Sequence, residues 1–165
     1  MGRKILFITS DQQRYDALGC NGGTIARTPV LDALSRAGIT FDRAHPQNVV
    51  CMPSRSTMLT GQHVSTHGVW MNGVPLPEDA PSIAADLRGA GYATALIGKA
   101  HFEPLLDPFL RFTENRLGAE RINTDNPSDP HRGFDHMELA THGAVGQLHY
   151  SQWVRENHPE ATGNF

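Results

Sequence analysis

Short apolar runs alternate with segments of helical periodicity along much of the chain. The run Lys4–Ser10 is rich in β-forming residues and ends at a polar cluster, which is typical of a strand buried on both faces of a parallel sheet. Tyr92–Gly98 repeats this pattern, and Ile39–Ala44 is a third candidate strand. Asp11 therefore lies just beyond the carboxyl end of the first predicted strand.

Helical spacing fills the segments between these strands. Thr28 and Pro29 offer an N-cap and a proline at the first helical position, and Gly38 ends the helix that they open. Similar start and stop signals predict further helices at 53–60, 81–90 and 148–156. Strands that alternate with helices predict a parallel α/β sheet, with ligand sites beyond the carboxyl ends of its strands.

Two segments thus bring polar residues to one rim of the predicted sheet. Asp11 follows the first strand, and Lys99 and His101 follow the strand that ends at Gly98. Residues two apart on an extended strand share a face, so Lys99 and His101 can address one anion if the extended geometry continues.

Periodicity fades between about residues 102 and 146, where proline, glycine and charged residues dominate, and this region is predicted to be irregular and loop-rich. The length of 165 residues and the apolar fraction of 39% suit one packed domain, residues 1–165.

The charge pattern narrows the range of partners. The net charge is −3, with basic and acidic residues well mixed, which argues against a nucleic acid or an anionic membrane as partner. The first apolar run is too short for a signal-peptide core or a membrane span, so a cytoplasmic protein is expected. Two cysteines, Cys20 and Cys51, make neither a disulfide framework nor a zinc cluster.

Cys51 begins the segment that carries the most chemical information. It lies at the entrance of the predicted helix 53–60, where the positive end of the helix dipole favours an anion. Arg55, one turn later, can face the same anion. Spacing alone therefore indicates a reactive thiol beside an anion site, against the alternative of an inert, buried cysteine.

Two other thiol chemistries fit the spacing less well. A tyrosine-phosphatase-type loop needs more residues between cysteine and arginine than the three that separate Cys51 from Arg55. A monothiol redox site at Cys51 and Ser54 lacks a resolving cysteine and leaves Arg55 unexplained.

The segment Cys51–Gly61 closely resembles the signature of the formylglycine-dependent sulfatases, with Pro53, Arg55 and Thr60 in register. The resemblance implies that Cys51 is oxidised to formylglycine by a maturation enzyme, and that the hydrated aldehyde supplies the attacking oxygen. It further implies that Arg55 stabilises this oxygen and that the protein hydrolyses a small-molecule sulfate ester.

Other segments extend the resemblance over about residues 4–135. The family places metal-binding residues after its first strand, and Asp11 matches the first of them, whereas Gln12 brings an amide oxygen without charge. The implied metal ligands are therefore Asp11, Gln12 and the modified Cys51. The cation would be calcium first, with manganese or magnesium as alternatives.

Gly98–Phe102 resembles the Gly-Lys-x-His stretch of the family, in which the lysine and the histidine contact the sulfate and the formylglycine. This implies catalytic roles for Lys99 and His101. Asn72 lies where some relatives carry a substrate-contacting asparagine. Arg132–Asp135 resembles a Gly-Phe-Asp segment to which we assign a structural role.

The resemblance implies an alkaline-phosphatase-like α/β/α sandwich with a mostly parallel sheet, of which this chain is the N-terminal part. We expect the 165 residues to be inactive alone, because we find no later cluster that resembles the remaining metal ligands and second lysine of the family. Phosphonate monoester and phosphodiester hydrolases of the same superfamily are an alternative. A non-catalytic module that keeps the sulfatase sheet is another, and a homo-oligomer stays open.

Three further residues are assigned no catalytic role. His63 and His67 have the spacing of a zinc pair on a helix, but glycines bracket them and we expect histidines that pack under the site. Cys20 has no charged neighbours that would activate it, so we expect a small buried residue.

Overall fold

The computed structural model describes residues 2–119, 130–141 and 148–164. Contacts between residues divide the chain into two units, Met1–His45 and Pro46–Phe165. None of the helices in the described ranges is long and apolar enough to cross a membrane.

Helix α1, Pro29–Ala37, organises the first unit and confirms the helix predicted there. The Thr28 hydroxyl accepts a hydrogen bond from the Gly19 amide (2.8 Å) and donates one to the Asp32 carboxylate (2.9 Å). Asp32 also accepts the amide of Cys20 (2.8 Å). These bonds join α1 to two short 3-10 helices, Tyr15–Ala17 and Gly19–Asn21. The Cys20 side chain is exposed, so the predicted burial is wrong.

The strands predicted at 4–10 and 39–44 do not form in this structure. Both segments are irregular, and Leu6 is 84% exposed. A strand persists only where a neighbour satisfies its backbone groups, and the described residues of the first unit contain no strand to pair with. Asp11 therefore follows an exposed, irregular segment rather than a buried strand.

Five α-helices appear in the described part of the second unit. Gly61 ends the first of them in the left-handed conformation, and the Ser82 hydroxyl caps the third by accepting the Ala85 amide. The helices predicted at 53–60, 81–90 and 148–156 are confirmed, with small shifts of their ends, whereas α3 and α5 were not predicted. Their bounds are α2 Cys51–Thr60, α3 Val64–His67, α4 Ile83–Gly89, α5 Thr113–Ala119 and α6 Leu148–Asn157.

Strand β1, Ala95–Gly98, pairs in parallel with strand β2, His136–Leu139. This confirms the predicted α/β class with parallel pairing. The predicted strand 92–98 is shorter than expected, and its burial on both faces is wrong: Ile97 is 73% exposed, because the core packs only on the side of Leu96.

Strand β2 and helix α5 both lie within residues 102–146, which the sequence predicted to be irregular. Residues 120–129 and 142–147 of that stretch lie outside the described part of the chain. The core of the second unit gathers side chains from α2, both strands, α6 and the loops between them. Its buried members are Met52, Leu59, Val69, Leu76, Ala100, Phe102, Met137, Leu139 and Leu148.

Asp135 ties the start of β2 to α4, which agrees with the structural role predicted for its segment. Its carboxylate accepts hydrogen bonds from the Arg88 guanidinium (2.6 Å) and from the Thr94 amide (3.1 Å). The bond from Arg88, followed by that from Thr94, holds the pKa of Asp135 below its usual value.

We expect Asp135→Asn to lower the midpoint of thermal unfolding at neutral pH. A carboxylate whose pKa is depressed by folding stabilises the protein above its unfolded value, 3.8, and loses that contribution as pH falls through the lower folded value. The difference between wild type and variant should therefore shrink on acidification below that pH, as followed by circular dichroism. Asp79→Asn makes the same charge change at an exposed position and is the control. A difference that grows towards low pH contradicts the prediction.

Candidate active site

Cys51 is the first residue of α2, and two asparagines complete the helix start around it. The N-cap position is occupied by Val50, whose side chain cannot accept a hydrogen bond. The side-chain oxygen of Asn48 instead accepts the Val50 amide (2.8 Å), and that of Asn72 accepts the Met52 amide (3.0 Å). Pro53 has no amide hydrogen and fits the first turn without loss.

Three of the predicted site residues meet at this helix start. The Lys99 ammonium nitrogen lies 3.3 Å from the Cys51 sulfur and donates a hydrogen bond to it. One turn along α2, the Arg55 guanidinium donates to the backbone carbonyl of Lys99 (2.6 Å). The structure therefore brings together a thiol and two cations from segments that are 44 to 48 residues apart in sequence.

His101 lies two residues beyond Lys99 and is 8% exposed. The extended geometry that would place both side chains on one face does not continue past β1. Gly98 has φ 111° and His101 has φ 61°, so the backbone turns between them. The His101 amide donates to the Glu114 carboxylate (2.9 Å).

Asp11 and Gln12 lie in the first unit, apart in sequence from the residues around Cys51, and both are exposed. Gln12 has φ 55°, in the left-handed region. Their carboxylate and amide oxygens are hard donors of the kind that a divalent cation such as calcium prefers, so their chemistry fits the implied metal. The ligand set of Asp11, Gln12 and residue 51 stays a prediction.

A second charged cluster was missed by the sequence reasoning. Glu103, Glu114 and His131 offer ligand atoms within 4.8 Å of one another. Both oxygens of Glu114 already accept backbone amides, and the Arg132 guanidinium lies 3.6 Å from Glu103. We therefore interpret this cluster as a charge-compensated structural network rather than a cation site. The helix that carries Glu114 has little apolar periodicity, and Thr113 at its start was the available signal.

The two histidines with zinc-pair spacing bind different partners. His67 is buried and shares a hydrogen bond with the Thr57 hydroxyl (3.0 Å), while His63 bonds the side chain of Gln47 (2.8 Å). Burial lowers the pKa of His67, which favours the neutral ring at pH 7. His67 therefore packs against the helix that carries Cys51.

The parallel strands and the cationic helix start define an α/β protein with a site suited to an anion. A model of the family Sulfatase matches residues 3–153, and the chain belongs to that family, as the sequence motifs predicted.

Individual relatives agree. The chain is 33% identical over 134 residues to an ulvan-active sulfatase of Formosa agariphila, covering 81% of this chain and 23% of that protein. It is 34% identical to an arylsulfatase of Clostridium perfringens, covering 78% of this chain and 29% of that protein. The chain thus spans less than a third of the length of these relatives.

A solved structure supports the fold. The phosphonate monoester hydrolase SpPMH from Silicibacter pomeroyi aligns with a TM-score of 0.66 and 30% identity, over 94% of this chain and 29% of that one. The predicted alkaline-phosphatase-like α/β class is thereby confirmed.

Replacing Asn72 tests whether its side chain completes the helix start. We expect Asn72→Ala to lower the free energy of unfolding by about 1 kcal/mol, because the Met52 amide loses its acceptor, whereas Asn72→Asp should keep most of the stability. Denaturant unfolding measures both. A substrate-contacting role alone would leave the stability of Asn72→Ala unchanged and would appear only in KM.

Proposed function

We propose that the protein hydrolyses sulfate esters with a nucleophile derived from Cys51. The observation that carries the proposal is the 3.3 Å contact between the Cys51 sulfur and the Lys99 ammonium at the start of α2. Membership of the sulfatase family and the sulfatase names of the similar proteins support the reaction class.

The proposal includes conversion of Cys51 to formylglycine by a maturation enzyme. Cys51 lies at a helix N-terminus and is part-exposed, which is compatible with this modification. The hydrate of formylglycine would supply one hydroxyl oxygen as the nucleophile that attacks sulfur and displaces the alcohol. Its second hydroxyl would then lose its proton and re-form the aldehyde, which breaks the bond to the sulfate and releases it. The contact of residue 51 with Lys99 then places a positive charge beside that oxygen.

Arg55 and Lys99 have separate tasks in this proposal. Arg55 donates to the Lys99 carbonyl, which holds its guanidinium beside the loop that follows β1, and we assign it to stabilising the attacking oxygen of residue 51. The Lys99 ammonium binds a sulfonyl oxygen beside residue 51. His101 is assigned to a sulfonyl oxygen, in keeping with the motif that it shares with Lys99.

Asp11, Gln12 and residue 51 would hold the divalent cation, for which we propose calcium, with manganese or magnesium as alternatives. The cation would neutralise charge on the bound sulfate. Calcium takes about six to eight oxygen ligands, so water molecules or further residues would complete the coordination.

A phosphonate or phosphodiester substrate is the second candidate. The alignment with the phosphonate monoester hydrolase SpPMH covers 94% of this chain, more than the sulfatase alignments do. We favour sulfate because the two relatives described above, whose sequences align with most of this chain, are sulfatases. A non-catalytic module is disfavoured because the Cys51, Arg55 and Lys99 contacts are intact.

Two measurements on the full protein test the proposed reaction. Peptide mass mapping should show residue 51 as an aldehyde in active material, and turnover of an aryl sulfate should exceed that of the matching aryl phosphonate. An active protein whose residue 51 is still a thiol contradicts the nucleophile. A large preference for the phosphonate contradicts the substrate class.

Lys99→Ala should lower kcat/KM for an aryl sulfate by about 100-fold or more, which is the usual effect of removing one charged donor from a transition-state site. Arg36→Ala removes a positive charge from an exposed position on α1 and should leave the rate within about twofold. Steady-state kinetics at several ionic strengths distinguish a local contact from a general loss of positive charge. Equal losses in the two variants would refute a specific role for Lys99.

A further inference from the structure

Glu114 binds the backbone of the loop that carries Lys99 and His101. Its side chain is fully buried. One carboxylate oxygen accepts the His101 amide and the other accepts the Phe102 amide, both at 2.9 Å. Two adjacent backbone donors therefore share one carboxylate, which requires both oxygens to be acceptors.

The loop adopts a course that its residues do not favour by themselves. His101 has φ 61°, and a residue with a Cβ atom adopts this conformation only where its surroundings enforce it. The two amides that Glu114 binds flank this turn. On the other side, the Arg55 guanidinium holds the Lys99 carbonyl (2.6 Å) and the Leu76 amide holds the Phe102 carbonyl (2.9 Å).

Glu114 is itself held in place by charged neighbours. Its backbone amide donates to the Glu103 carboxylate (2.8 Å). The Arg132 guanidinium lies 3.6 Å from Glu103 and donates to the Leu76 carbonyl (2.7 Å), and the His131 ring lies 3.9 Å from Glu114. Glu114 is thus held in place through both its backbone amide and its carboxylate.

We propose that Glu114 is a positioning residue for the anion site: it fixes the backbone of residues 99–102 so that Lys99 stays in contact with residue 51. This inference rests on the proposed function for its kinetic consequence. The contact between the Lys99 ammonium and Cys51 depends on the course of the loop after β1. Glu114 binds this loop two residues beyond Lys99, at the His101 amide. Glu114 does not need to touch the substrate.

Glu114→Gln is the sharpest test, because it keeps the shape of the side chain and replaces one acceptor oxygen with a donor. One of the two loop amides then faces an N–H group. We expect kcat for an aryl sulfate to fall about 10- to 100-fold in the full protein, with a smaller change in KM, since small displacements of a catalytic group have effects of this size.

Val154→Ala is the control for lost stability. Val154 is buried on α6, so this variant should lower the unfolding midpoint while kcat is retained. A folded Glu114→Gln protein with kcat within twofold of wild type overturns the proposal. So does an equal loss of kcat in Val154→Ala.

Amide hydrogen exchange of the wild-type protein tests the proposal even if Glu114→Gln does not fold. The His101 and Phe102 amides should be strongly protected, and exchange as fast as in an open loop overturns the positioning role. This measurement does not depend on the reaction. A wild-type protein that turns over no sulfate ester would refute the proposed function and leave the exchange result standing.

Discussion

The hydrogen bond from Arg55 to the Lys99 carbonyl is the contact on which the candidate site depends. It joins the first turns of α2 to the loop after β1, and the Lys99 ammonium reaches the Cys51 sulfur from that same loop. A positive charge beside another positive charge is unfavourable unless each has its own acceptor. The Lys99 carbonyl accepts from Arg55 and the Cys51 sulfur accepts from Lys99, so each cation has an acceptor at this site.

The buried charged side chains behind this loop, Glu114 and Arg132 among them, have a different role from Arg55 and Lys99. Desolvation raises the pKa of Glu114 and lowers the pKa of Arg132, whereas attraction between Arg132 and the carboxylates of Glu103 and Glu114 opposes the shift of Arg132. Such networks add little net stability compared with an apolar core, because desolvation offsets the attraction between the charges. Their geometry is nevertheless specific, and here it sets the path of the backbone at residues 99–102.

The sequence predicted those parts of the site that depend on local spacing. Cys51 and Arg55 share one helix, so their relation follows from helical geometry alone. The rule that ligand sites lie beyond the ends of parallel strands placed Lys99 at the rim of the sheet, and the family resemblance placed it beside residue 51, where the structure shows the contact. The strand at 4–10 was wrong because strand formation depends on a partner that a local pattern does not reveal.

Glu114 escaped prediction for a related reason. Its importance comes from two hydrogen bonds to amides 12 and 13 residues away, and a carboxylate at the start of a short helix otherwise looks like an ordinary N-terminal residue. Likewise, the turn at His101 cannot be read from residue type, since left-handed backbone is expected at glycine.

Gln12 and His101 share an unusual property: both are predicted site residues, and both have positive φ without being glycine. A residue other than glycine adopts this backbone conformation because the surrounding contacts stabilise it, not because its own backbone favours it. For His101 the contacts are visible, because the Glu114 carboxylate binds the amides on both sides of its turn. The carboxylate that binds these amides lies on α5 and is fully buried. The geometry of the proposed anion site is therefore coupled to the packing beneath it, although Cys51, Arg55 and Lys99 lie in earlier segments of the chain than α5.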